Sequence, residues 1–80
     1  MKKIDLNNIK DLLSEVFSNS EIPDNVIDLK IGDLTEWDSL GNFNLLLLAE
    51  DWFEVKFSMI DMSTIKSISQ LISTIKNLRD

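Results

Sequence analysis

Eighty residues, 44% of them hydrophobic, with two glycines, one proline, no cysteine and no histidine, describe a single domain over residues 1–80, near the lower size limit for a core without disulfides. The missing cysteines and histidines exclude a disulfide framework, thiolate zinc sites and thiol redox chemistry, and remove the commonest general base, so neither a metal site nor an enzymatic activity of the chain's own is expected. The net charge of −6 is concentrated centrally, residues 1–17, 18–57 and 58–80 carrying 0, −7 and +1, which disfavours nucleic acid and anionic lipid as partners and favours basic protein patches.

Met1-Lys2-Lys3-Ile4-Asp5 is followed by no apolar segment of signal-peptide length. The longest purely apolar run, Leu45 to Ala49, is five residues, against the roughly 20 that a membrane span needs. The expectation is a soluble, cytoplasmic protein without a membrane span.

Ile4, Leu6, Ile9, Leu12, Leu13, Val16 and Phe17 recur at helical spacing, so residues 5–17 are expected to form an amphipathic helix. Ser18-Asn19-Ser20 ends it, and Pro23 restricts the residue before it. Residues 18–37 then form an unusually long connection for so small a domain. Ile27, Leu29 and Ile31 alternate with polar residues as in a strand, but a lone strand has no partner in a helical chain. The preferred reading is an extended loop pinned onto the helices by those three side chains and Leu34.

A second helix is expected from Asp38 or Ser39 to about Phe53, with Asp38 as a favoured cap. Gly41 weakens its first turn by about 1 kcal/mol relative to alanine, and the leucines that follow outweigh that cost. Glu54 to Phe57 is a short link, and Ser58 can cap a single turn through Met59 to Met62. Ser67-Ile68-Ser69-Gln70 is a capping-box pattern for the last helix, whose buried stripe is Ile68, Leu71, Ile72, Ile75 and Leu78. The expected fold is all-α: a small bundle of three main helices plus a short third helix, with a long first loop.

On a helical wheel with Ser39 at 0°, Leu48, Trp52, Leu45, Ala49, Phe53 and Leu46 fall on an arc from about 180° to 340° that forms the core face. The other arc holds Leu40, Phe43, Asn44, Leu47, Glu50 and Asp51. Apolar anchors ringed by acids suit a docking surface. A helix apolar on more than one side would equally suit a central place in the bundle. Ser39 itself is one of nine serines, and a serine in a first helical turn needs no special chemistry to explain it. Asp38 and Glu50 as a pair of hydrolytic carboxylates would need a cleft that so small a domain has little room to supply.

Asp38-Ser39-Leu40, with a helix continuing through Leu45, Leu48 and Phe53, resembles the signature of acyl carrier proteins and the related peptidyl carrier domains. The resemblance extends over essentially all 80 residues: an apolar and acidic second helix, Phe53 near its end, a short third helix at Met59 to Met62, and Ile65-Lys66-Ser67-Ile68 leading into the last. It implies an acyl-carrier-like fold, of which the long first loop is a normal part. It also implies that Ser39, flanked by Asp38 and Leu40, carries covalent 4′-phosphopantetheine, placed there by a phosphopantetheinyl transferase. The chain would then hold an acyl or aminoacyl thioester and act as a monomer serving loading and acyl-transfer enzymes with basic docking patches.

The resemblance further implies a partner face of Leu40, Phe43, Asn44, Leu47, Glu50, Asp51, Ile60 and Asp61. A long apolar cargo would enter near Leu45, Leu48, Ile60, Met62 and Ile65, where methionine and leucine lining permits some repacking. Trp52 follows Asp51, and Asp61 is the only acid in residues 58–65, so this surface is less acidic than that of housekeeping fatty-acid carriers. Trp37 and Gly41 resemble free-standing carriers of specialised bacterial pathways, such as polyketide, nonribosomal-peptide or surface-glycan acylation systems. The alternative function is a helical protein-interaction module with no prosthetic group.

Overall fold

The computed structural model describes residues 2–79. Four helices follow one another: α1 (Leu6–Val16), α2 (Ser39–Phe53), α3 (Met59–Thr64) and α4 (Ile68–Arg79). The apolar stripe of α1 buries Ile9, Leu12 and Leu13, and α4 buries Ile68, Leu71 and Ile75. α1 packs along α2, and the buried residues of α4 join the same core, in which Leu45, Leu46, Ala49 and Phe53 of α2 are fully covered. This is the small helical bundle expected from the spacing of apolar residues.

Local chemistry sets the helix boundaries. The Asp5 carboxylate accepts from the Asn8 N–H at 2.8 Å, so α1 begins at Leu6. Ser58 and Asp61 form a complete capping box on α3, which runs two residues beyond the single expected turn. At α4 the Ser67 hydroxyl accepts from the Gln70 N–H at 3.2 Å as expected. The returning arm differs, because the Gln70 side-chain Oε1 accepts from the N–H of Lys66 at 2.9 Å. It therefore ties down the residue before the cap.

The long connection between α1 and α2 is more ordered than an extended loop. The expected anchors Ile27, Leu29, Ile31 and Leu34 are partly buried against the core, and Val26 is fully buried. The alternating stretch also has a backbone partner, contrary to the expectation of a lone strand. Lys30 pairs with Ser67 in an antiparallel bridge, the Ile31 N–H donating to the Lys66 carbonyl at 2.8 Å and the Ile68 N–H to the Leu29 carbonyl at 3.0 Å. The partner is the α3–α4 link, 37 residues away in sequence, which no local pattern reveals. The Glu36 carboxylate accepts from the Asn19 N–H at 2.9 Å and the Ser20 hydroxyl at 3.0 Å, joining the two ends of the loop. Gly32 sits at φ +94°, a left-handed conformation suited to glycine, and its N–H donates to the Trp37 carbonyl at 2.8 Å.

The ends of the chain meet beside α2. The Lys2 N–H donates to the Trp52 carbonyl at 3.0 Å, and its ammonium lies 4.6 Å from the Trp52 ring centroid. Arg79 donates to the Lys2 carbonyl at 3.1 Å. Trp52, on the core arc of the wheel, is partly buried and packs against the core, with the N-terminal segment over it.

Gly41 has a different role from the weak helix former that its propensity suggests. A Cβ at this position would collide with the Glu36 carbonyl oxygen and press on the Phe17 ring. Close approach of the loop to the first turn of α2 therefore requires glycine. Gly41→Ala, which by helix propensity alone would stabilise by about 1 kcal/mol, is expected instead to destabilise by about 1–3 kcal/mol. The sign of the shift in a urea unfolding midpoint decides between them.

Lys10 and Asp24 pair across the start of the loop at 2.6 Å. The hydrogen bond from the Lys10 ammonium, reinforced by its charge, holds the Asp24 carboxyl below its ordinary range. A group depressed in the folded state contributes stability above its unfolded pKa and loses it as pH falls through the folded value. In an NMR titration Asp24 is expected to protonate below the usual aspartate range, and Lys10→Ala to bring it back.

Candidate functional site

Asp38 places Ser39. Its backbone is extended, its carboxylate accepts from the Gly41 N–H at 2.8 Å, and its carbonyl accepts from the Asn42 N–H at 2.8 Å. This N-cap starts the helix at Ser39, whose side chain is exposed. The N–H groups of the first helical positions have no intrahelical acceptor, so the serine stands where unpaired donors and the positive end of the helix dipole face solvent. Beside it lies a shallow groove of about 290 Å³ bordered by Phe17, Glu36, Asp38, Leu40 and Asn44.

Leu40, Phe43 and Leu47 are exposed by 70%, 48% and 44%, and form one apolar row along α2. Asn44 and Asp51 are exposed on the same helix. On α3, which buries no residue, Met59 is 89% and Ile60 73% exposed. The outward arc is therefore a solvent-facing surface, rather than part of a helix buried all round.

Two of the expected partner-face acids are engaged with their own chain. The Glu50 carboxylate accepts from the Phe57 N–H at 2.8 Å, fixing the α2–α3 link, and the Asp61 carboxylate accepts from the Ser58 N–H at 3.1 Å in the capping box. Both are half-buried. Among the described residues Asp51 is the member of that acidic set held by no hydrogen bond or ion pair. Asp38 and Glu50 stand twelve residues apart on one helix, about 18 Å along its axis, and do not form a carboxylate pair. Among the described residues no three His, Cys, Asp or Glu side chains come together to hold a metal.

Of the five residues expected to line an interior cargo site, four belong to the core or pack against it, and Ile60 alone stands outside it. Leu45 and Ile65 are buried, Leu48 and Met62 partly so, while Ile60 points outward because the six-residue α3 packs none of its side chains fully into the core.

Asn42 is the residue that sequence reasoning passed over. It is 6% exposed and lies at 300° on the wheel, within the core arc. Its carboxamide oxygen accepts from the Trp37 indole N–H at 2.9 Å, and its amide nitrogen donates to the Ile65 carbonyl at 2.8 Å. Trp37 is itself buried and stacks on Phe17 with ring centroids 5.8 Å apart. The loop, α1, α2 and the end of α3 are thus joined beneath Ser39. A polar residue at the middle of an otherwise apolar arc, five residues after a tryptophan, was the available signal.

No protein-family model matches the chain, and no curated protein or solved structure is detectably similar to it. Among the described residues no helix is long and apolar enough to cross a membrane.

Asn42→Leu is expected to lower the unfolding free energy by roughly 2–4 kcal/mol, because the indole N–H and the Ile65 carbonyl each lose a partner at about 1–3 kcal/mol. Urea unfolding measures this. Trp37→Phe combined with Asn42→Leu should cost less than the two single variants added together.

Proposed function

We propose that this chain is an acyl carrier protein, bearing 4′-phosphopantetheine on Ser39 and presenting an acyl or aminoacyl thioester to partner enzymes. The observation that carries this reading is the exposed serine at the first position of α2, held there by the Asp38 cap and flanked by the apolar row Leu40, Phe43 and Leu47.

The residues present fit the group. An exposed hydroxyl is open to a transferase, and a helix N-terminus favours the negative charge of a phosphodiester. The group would supply a terminal thiol, which a chain without cysteine otherwise lacks. Ser39 has no neighbouring base because the transferase supplies activation, and later chemistry belongs to other enzymes. Leu40, Phe43 and Leu47, with Met59 and Ile60, offer those enzymes apolar contacts, while Asp51 and the residual charge of the engaged acids favour basic partners.

Incubation with coenzyme A, magnesium and a broad-specificity phosphopantetheinyl transferase is expected to add one phosphopantetheinyl group, seen by intact mass. Ser39→Ala should remain unmodified. Absence of an adduct on the wild-type chain, or its persistence on Ser39→Ala, would defeat the assignment and favour a helical interaction module instead.

A further inference from the structure

We infer that the carrier does not take its cargo into the helical bundle, and that the cargo is accordingly a short or polar acyl or aminoacyl group. This rests on the carrier reading of Ser39 and narrows what the serine's arm delivers.

On the core-facing side of α2, Asn42 stands in the turn between Ser39 and the buried Leu45 and Leu46. Cargo passing inward along that face meets the Asn42 carboxamide first. It is tied on one side to the Trp37 indole and on the other to the Ile65 carbonyl, which closes the space between α2 and the end of α3. No buried side-chain polar atom lacks a partner among the described residues. A methylene chain inserted there would have to part both bonds, leaving a buried indole N–H, a carboxamide and a carbonyl with nothing to pair with, since an alkyl chain offers neither donor nor acceptor. Trp37 and Phe17, stacked and buried, occupy the other side of the same level.

The surface next to Ser39 offers only a shallow groove. Ile60, where an interior path would open beside α3, is already solvent-facing. The groove next to Ser39 is shallow and bordered by the carboxylate residues Glu36 and Asp38 as well as by Leu40. A long apolar chain would remain in water, at a cost that grows with each methylene. A short or polar group incurs little of that cost.

The test compares acetyl and octanoyl forms of the full chain, prepared from acetyl- and octanoyl-coenzyme A with the same transferase and verified by intact mass. The Trp37 indole N–H, the Asn42 carboxamide and the Ile65 amide are expected at the same NMR positions in both forms, and hydroxylamine is expected to cleave the two thioesters in the same ratio of rates as free acetyl- and octanoyl-coenzyme A. Octanoyl-dependent shifts of those resonances, or an octanoyl cleavage slowed beyond that ratio, would overturn the inference. In Asn42→Ala the octanoyl group is expected to shift core resonances and to be cleaved more slowly than in the wild type. An octanoyl group as exposed as before would show that the bridge is not the barrier. Should Asn42→Ala not fold, Trp37→Phe, which removes one of the two bonds, takes its place with the same two outcomes. Failure of the carrier reading gives a different result, namely no mass increase with either donor.

Discussion

The Asn42 carboxamide ties together three stretches of chain that share no regular secondary structure: the end of the long loop at Trp37, the first turns of α2, and the residue that closes α3 at Ile65. An apolar side chain there could fill the volume but could not specify how the three pieces sit, because dispersion contacts are tolerant of small displacements and hydrogen bonds are not. Paired at both ends, the amide is compatible with burial. With either partner missing it becomes a liability. The position of the Ser39 hydroxyl follows from this, since the loop delivers Asp38 to cap the helix only where Trp37 is held.

The acidity of the middle of the chain has a second meaning once the carboxylates are traced. Glu36 receives the Asn19 N–H and the Ser20 hydroxyl, Asp33 the Lys30 N–H, Asp38 the Gly41 N–H and Glu50 the Phe57 N–H, and Asp61, just beyond that stretch, receives the Ser58 N–H. These are mainly backbone donors in loops and helix starts, where no ladder or helix satisfies them. Charge that reads as a surface for basic partners is thus in part scaffolding for irregular segments. It still contributes to the field around the molecule, but fewer carboxylate oxygens are free to meet a partner than the sequence count suggests.

The helices were legible because their determinants are local. Apolar spacing found α1, α2 and α4, and Asp38, Ser58 and Ser67 marked three helix starts. What escaped was set by distant chain. The alternation at Ile27, Leu29 and Ile31 was real, but its partner lay in the α3–α4 link. Gly41 looked like a minor helical weakness until the Glu36 carbonyl was found against it. At the candidate site, helical phase put Ser39, Leu40, Phe43 and Leu47 on one arc, but only their exposure in the fold shows that this arc faces solvent and not a neighbouring helix. The engagement of Glu50 and Asp61, and the outward turn of Ile60, depend on how a six-residue helix is attached to its neighbours, which phase does not contain.

The clasp of Lys2 and Arg79 gives the molecule a polarity. Both ends of the described chain gather at Trp52, thirteen residues along α2 from Ser39, about 20 Å away at the rise of an α-helix. The same geometry makes the two ends a short splice apart, so the chain is suited to circular permutation or to insertion as a unit into a surface loop of a larger protein without crossing the face that bears Leu40 and Phe43.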